Sequence, residues 1–92
     1  MKPIPDLTFT IQIIAEGPTY VAYAPELDVS SCGETPEEAR TNLREAVRGF
    51  LKSAQKMGTL DTILEEAGYI HKRTGWSTPP LVTLDRFSVA LP

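Results

Sequence analysis

Apolar and polar residues alternate along the first third of the chain, a pattern typical of strands with one buried face. A first strand over residues 7–15 is predicted by its apolar positions, Leu7, Phe9, Ile11 and Ile13. Turn-forming residues at 16–19 separate it from an aromatic and β-branched run at 20–24, so the two runs predict an antiparallel hairpin. A third strand is predicted over residues 27–33.

A long amphipathic helix is predicted after the strands. Thr35 before Pro36, with Glu38 three residues later, is typical of a helix N-terminus closed by a capping box. Gly58 is the expected C-cap, and Gly49 within the helix suggests close packing against the sheet. The helix should span about 22 residues, and its apolar stripe comprises Ala39, Leu43, Val47, Phe50, Ala54 and Met57.

The last third of the chain predicts a short helix, a loop and a strand. Thr59 is placed to cap the short helix and Gly68 to stop it. Residues 69–80 are rich in turn formers and predict a loop, with a short extended piece at its start. Residues 81–92 predict a terminal strand, because the apolar positions 87, 89 and 91 are in phase.

Together these elements predict an α+β fold: a small antiparallel sheet, in the order β-β-β-α-α-β, with the long helix packed on one face. A chain of 92 residues has room for one small domain, assigned here to residues 1–92 with an extended N-terminus at 1–6. Such a domain buries only roughly 60–65% of its unfolded surface. Its own core therefore gives little stability, and a homo-oligomer, dimer or tetramer, is expected.

The charge balance bears on the kind of partner. Nine Lys and Arg against twelve Asp and Glu give a net charge of −3, which disfavours direct nucleic-acid binding and favours a basic partner. The chain shows neither a signal-like apolar run at its start nor a membrane-spanning segment, so a cytoplasmic location is expected. Cations recur every four residues along the long helix without interleaved aromatics, and we interpret them as a solvated face: Arg40, Arg44, Arg48, Lys52 and Lys56.

No catalytic or metal-binding constellation is evident, so we expect neither enzymatic activity nor a cofactor. The single Cys32 cannot form an internal disulfide, and the single His71 cannot begin a Cys/His metal cluster. Nothing orients the two as a nucleophile and its base. Two-metal nucleases need converging carboxylates, usually with one on the first strand, and that strand contains none. An altered nuclease would have to use Glu16, Glu26 or Asp28.

Three stretches of the chain resemble the HicB-like antitoxin family. They are YVAYAPELD at residues 20–28, SCGETPEEA at 31–39 and NLREA at 42–46, and with the second helix the resemblance extends to residue 68, about half the chain. It implies a partial ribonuclease-H-like fold and a function in binding and neutralising HicA, a small basic toxin that cleaves mRNA. Many members also carry a C-terminal DNA-binding module. The two dozen or so residues after Gly68 are too few and too strand-like for one.

A partner-binding site is expected near the bend after the second strand. Glu26 and Asp28 flank Leu27, so two carboxylates lie beside an apolar anchor, which suits docking onto a basic protein. Tyr20 and Tyr23 differ in strand parity, so one ring should pack under the helix while the other is exposed or covered by a partner. The candidate partner-binding residues are Tyr23, Glu26, Leu27, Asp28 and Glu34.

The predicted function is therefore antitoxin-like: the chain would neutralise a HicA-type toxin by occluding its RNA site. Two alternatives stay open at this point. One is a degenerate ribonuclease-H-like nuclease, and the other is an orphan homo-oligomeric regulatory domain with no active toxin.

Overall fold

The computed structural model describes residues 6–92 and has an α+β fold. Its elements are β1 Gln12–Glu16, β2 Thr19–Ala24, β3 Val29–Gly33, α1 Pro36–Met57, α2 Leu60–Glu66, β4 Ile70–Lys72 and β5 Gly75–Ser77. The first three strands form an antiparallel sheet in the order β1-β2-β3, and β4 pairs with β5 in a separate two-stranded sheet. The predicted class, a small antiparallel sheet with a long helix, is confirmed.

One face of the three-stranded sheet packs against α1. Ala22 and Ala24 of β2 are fully buried, and their small side chains let the helix approach closely. Across the sheet Ile13 pairs with Ala22, and Val29 pairs with Ala24, so these four side chains share the helix-facing side. Tyr20 is also packed against the core, as predicted for one of the two tyrosines.

The helix α1 begins and ends close to the predicted residues. The Thr35 hydroxyl accepts a hydrogen bond from the Glu38 amide at 3.0 Å, while the Glu38 carboxylate accepts one from the Glu34 amide at 3.3 Å. Gly58 ends the helix in the left-handed conformation with φ 73°. The buried stripe is Ala39, Leu43, Val47, Leu51 and Ala54. Phe50 is partly buried and packs against this core as predicted, Leu51 adds to the predicted stripe, and Met57 is 75% exposed, contrary to the prediction.

Gly33, which precedes α1, and Gly49, which lies within it, differ in what surrounds them. A Cβ on Gly33 would lie 2.5 Å from the Ala39 backbone nitrogen, so only glycine lets β3 run this close to the first turn of α1. Gly49 has nothing within 4 Å of the corresponding position and is exposed. The packing role predicted for Gly49 is therefore wrong, and Gly33 is the glycine required by close packing.

The second helix completes the core with Leu60 and Leu64, of which Leu64 is fully buried. Thr59 makes no side-chain cap, contrary to the sequence-based expectation, since its backbone has φ −108° and ψ 0° instead of the extended conformation that a capping residue adopts. Its hydroxyl donates to the Ala54 carbonyl at 3.3 Å. Tyr69, three residues after the end of α2, is only 3% exposed and belongs to the same core. Substituting Leu43 or Leu64 with alanine would cost about 2–5 kcal/mol, as for other buried leucines.

The first strand is shorter than predicted. Residues 7–11 pack against the core through their apolar side chains but lie outside β1, which begins at Gln12. The physical reason is the amide of Thr10, which donates to the side chain of Glu26 instead of to a neighbouring strand. The predicted extended stretch at 1–6 lies, apart from Asp6, outside the described residues.

The end of the chain also differs from the prediction. Residues 69–80 contain the β4–β5 hairpin where a loop was expected, and His71 and Trp76 stack across it with ring centroids 4.3 Å apart. The strand predicted over 81–92 is not formed. A strand needs a neighbouring strand to satisfy its backbone groups, and this segment has none among residues 6–92. Among residues 6–92 no helix combines the length and apolar character needed to span a membrane.

Candidate partner-binding surface

The side of the three-stranded sheet turned away from α1 is its open face. Successive side chains of a strand point to opposite sides, and α1 is the only other helix or strand in the described part of the chain that contacts the sheet. We define the open sheet face by six side chains, two from each strand: Gln12, Ile14, Val21, Tyr23, Ser30 and Cys32.

An apolar row crosses the centre of the open sheet face. Ile14 pairs with Val21, and Val21 pairs with Cys32, so one side chain from each strand lies in line. Ile14 is 45% exposed, Val21 is half-buried and Cys32 is exposed and free of any disulfide. Uncovered apolar side chains in line on one sheet face are a typical feature of an interaction surface.

Tyr23 and Asp28 form a hydrogen-bonded pair at one end of this face. The Tyr23 hydroxyl donates to Asp28 Oδ1 at 3.0 Å, and this hydrogen bond raises the pKa of Tyr23. Asp28 has φ 54°, a left-handed conformation that aspartate tolerates better than most residues. The turn thus holds an exposed carboxylate and fixes the phenol ring beside the apolar row.

Glu26 has a different environment from Asp28, although the two are close in sequence. Its carboxylate accepts the Thr10 amide at 2.9 and 3.1 Å and the Thr10 hydroxyl at 2.7 Å. These bonds fasten the segment before β1 to the turn after β2. The carboxylate predicted to meet a partner is therefore already engaged within the chain.

Leu27 and Glu34 also depart from the predicted cluster. Leu27 is 7% exposed and belongs to the core, so the apolar anchor expected on the bend is not available to a partner. Glu34 is exposed, but it follows β3 whereas Asp28 precedes it. A five-residue strand separates them by roughly 20 Å at about 3.3 Å per residue. The structure thus brings Tyr23 and Asp28 together at the start of β3, whereas Glu34 lies at the opposite end of β3.

The buried Tyr69 is hydrogen-bonded to the segment before β1 and lies close enough to Glu26 to feel its charge. The Tyr69 hydroxyl donates to the Thr8 carbonyl at 2.6 Å, joining residues 61 positions apart. Burial, and after it the negative charge of Glu26, raises the pKa of Tyr69 to about 12. Tyr69 stood at the start of a predicted loop, and nothing in its local sequence signals this contact.

The structure brings no metal-binding cluster together within residues 6–92, where no three His, Cys, Asp or Glu side chains are grouped to hold an ion. Glu16 lies at the end of β1, Glu26 binds Thr10, and Asp28 binds Tyr23. Cys32 and His71 lie in different sheets.

Comparison with known proteins gives no assignment: no family model, curated protein or solved structure matches this chain. The HicB-like resemblance therefore rests on the three sequence stretches described above. The sequence analysis did not identify the open sheet face. The alternation of residues along the strands could have identified it, because positions 12, 14, 21 and 23 lie on the side of the sheet opposite the buried alanines.

Proposed function

We propose that this chain is an antitoxin-like binding protein that neutralises a small, basic, HicA-type mRNA-cleaving toxin by occluding its RNA site. The observation that carries the proposal is the open sheet face, whose apolar row no described helix or strand covers. The sequence stretches that resemble HicB-like antitoxins include most of β2 and the last three residues of β3, and so contribute three of its six side chains, Val21, Tyr23 and Cys32. A binding function needs such a surface and needs no reaction centre.

The apolar row and the acidic groups would contribute differently to binding. Ile14 and Val21 would supply affinity, because apolar side chains at the centre of an interface lose their water when the partner docks. Asp28 and Glu34, at the two ends of β3, would attract a basic toxin and raise its association rate. The net charge of −3 acts in the same direction.

Occlusion follows from the charge of the toxin's natural ligand. A protein that binds mRNA must present cations to the phosphates. Carboxylates of this chain placed against those cations would stand where RNA phosphates otherwise bind. Such a toxin acts on mRNA, so we place the complex in the cytoplasm. We also propose that the chain forms a homo-oligomer.

The proposal is tested by direct binding to a small basic RNA-cleaving protein encoded beside this chain, measured by titration calorimetry. Ile14→Asp should raise the Kd by roughly 30-fold or more, as expected when a charge replaces a central apolar contact. Met57→Asp is the matched control, since Met57 is also an exposed apolar residue but lies at the end of α1. Equal Kd values for wild type and Ile14→Asp would exclude the open sheet face as the docking site.

A further inference from the structure

The apolar C-terminal segment, residues 81–91, is the most exposed apolar part of the described chain. Six large side chains in it are between 64% and 88% exposed: Leu81, Val82, Leu84, Phe87, Val89 and Leu91. A monomer rarely leaves so many contiguous apolar groups in water. The alternation of Phe87, Val89 and Leu91 is also that of a strand, although no strand in the described part of the chain pairs with it.

The chain is held against the core just before this segment begins. A Cβ on Gly68 would lie 3.4 Å from Pro79, so the proline packs against the end of α2. The Thr78 hydroxyl reaches the Thr8 carbonyl at 3.5 Å. Every residue from 80 to 92 is exposed. The segment therefore starts from a fixed point and extends away from its own core.

A groove of about 640 Å³ lies between α1 and the segment that precedes β1. Its volume is within the range of about 300–1,000 Å³ that is usual for ligand sites. Its apolar lining consists of the half-buried Phe9 and Ile11 together with the buried Val47 and Leu51, and its charged rim carries Arg48 and Lys52 as well as Asp6. Thr8 also lines the groove, so the C-terminal segment of each chain starts at the border of its own groove but does not enter it.

We propose that the apolar C-terminal segment of one copy occupies the groove of a second copy, and that the exchange is reciprocal. The segment supplies the apolar side chains that the apolar lining of the groove accommodates. Asp85 has the same strand parity as Phe87, Val89 and Leu91, so it would face the groove with them and supply a carboxylate for the rim cations Arg48 and Lys52, while Arg86 would point to the other side. A reciprocal exchange gives a closed twofold dimer, in which both copies cover the same two surfaces.

The area is adequate for a stable dimer. Each apolar side chain carries on the order of 100 Å² of surface, and in a strand Leu81, Phe87, Val89 and Leu91 face one side while Val82 and Leu84 face the other. One segment therefore turns on the order of 400 Å² of apolar surface toward the groove. In the exchanged dimer each copy has two surfaces removed from solvent, its own segment and its own groove. That brings the buried area to the low end of the range for specific complexes, about 600 Å² per partner. The open sheet face is not used, so this interface is independent of toxin binding.

The test is the dimer dissociation constant of the full chain and its variants, from sedimentation equilibrium over a range of protein concentrations. Wild type should be a dimer at about 100 µM protomer, where mass action favours association. Phe87→Asp should raise the dissociation constant tenfold or more, because Phe87 is 86% exposed in the single chain and its loss leaves the fold intact. Met57→Asp, an exposed apolar residue outside both surfaces, should leave it unchanged.

A charge exchange shows whether the groove is the surface that receives the segment. Arg48→Glu with Lys52→Glu should weaken the dimer by several-fold, and adding Asp85→Lys to the same chain should restore it. Circular dichroism confirms that each variant is folded. A wild-type monomer at the highest concentration, or a dimer that responds to neither Phe87→Asp nor the groove pair, overturns the proposal. A dimer that responds to Phe87→Asp alone shows pairing between the two segments and overturns the assignment of the groove.

Discussion

Thr10 binds the carboxylate of Glu26, 16 residues further along the chain, through both its backbone amide and its hydroxyl. This arrangement ends the ladder of β1 at Gln12 and ties the segment before it to the turn after β2. It also removes Glu26 from the acidic surface, which leaves Asp28 as the exposed carboxylate of that turn.

Glu26→Gln should destabilise the fold by about 1–3 kcal/mol, because charge-assisted hydrogen bonds are lost and the amide nitrogen faces the donors of Thr10. Denaturant unfolding followed by circular dichroism measures the change. Glu34→Gln is the matched control, since the Glu34 side chain is exposed, and its effect should stay within about 0.5 kcal/mol. Equal stability of the two variants would contradict the structural role of the Thr10–Glu26 contact.

The close approach of β3 to α1 predicts opposite effects for two glycine substitutions. Gly33→Ala should destabilise the protein by about 1–3 kcal/mol, because its Cβ would overlap the Ala39 backbone. Gly49→Ala should stabilise it by roughly 0.5–1 kcal/mol, because alanine is the better helix former and the position is open. Thermal unfolding of both variants checks the sign, and a tolerated Gly33→Ala would mean that β3 and α1 are further apart than described.

The buried Tyr69 predicts an alkaline limit to stability. Its pKa is raised from the ordinary 10.0 to about 12 in the folded protein, so the folded state keeps the proton to higher pH than the unfolded state does. This contribution is complete below pH 10 and is lost as the pH rises from 10 to about 12. Tyr69→Phe should unfold more readily at neutral pH, by about 0.5–1.5 kcal/mol for the lost hydrogen bond to Thr8.

The pH profile separates this effect from a loss of packing. Over pH 10 to 12 the free energy of unfolding of Tyr69→Phe should fall less steeply than that of wild type. Tyr20→Phe keeps Tyr69 and should fall as wild type does. Parallel profiles for wild type and Tyr69→Phe would show that Tyr69 does not hold its proton more tightly in the folded state.

Asp28 predicts an effect on the rate of toxin binding. Asp28→Lys should lower the association rate constant several-fold at low ionic strength, and the difference should shrink as added salt screens the charges. Asp61→Lys makes the same charge change on α2, away from the sheet, and should have a smaller effect. Stopped-flow mixing measures both, and equal rates for the two variants would show that the Asp28 end of the sheet does not face the partner.

Sequence patterns predicted those features whose causes are local. Thr35, Pro36 and Gly58 determine the ends of α1 through contacts within a few residues, and the alternation in β2 places Ala22 and Ala24 on one side. These signals need no knowledge of distant parts of the chain. The order and class of the elements up to α2 therefore followed from the sequence.

The errors arise where a contact joins distant residues or where a partner is missing. The strand predicted from residue 7 is interrupted because Glu26, far along the chain, accepts the Thr10 amide. Leu27 sits between two acidic residues, yet it points into the core, and turn geometry cannot be read from composition. The strand-like pattern at 81–91 has no partner strand within the residues that the structure describes, and we attribute the pattern to the proposed contact with a second copy.

The most direct test of the central claim is RNA cleavage by the purified basic toxin, measured as this chain is added in increasing amounts. The proposal predicts that cleavage falls in proportion to the added chain and stops at molar excess, while Ile14→Asp needs a much higher concentration for the same effect. Undiminished cleavage at molar excess of the wild-type chain would contradict neutralisation of that toxin, and RNA cut by this chain alone would contradict a purely binding function.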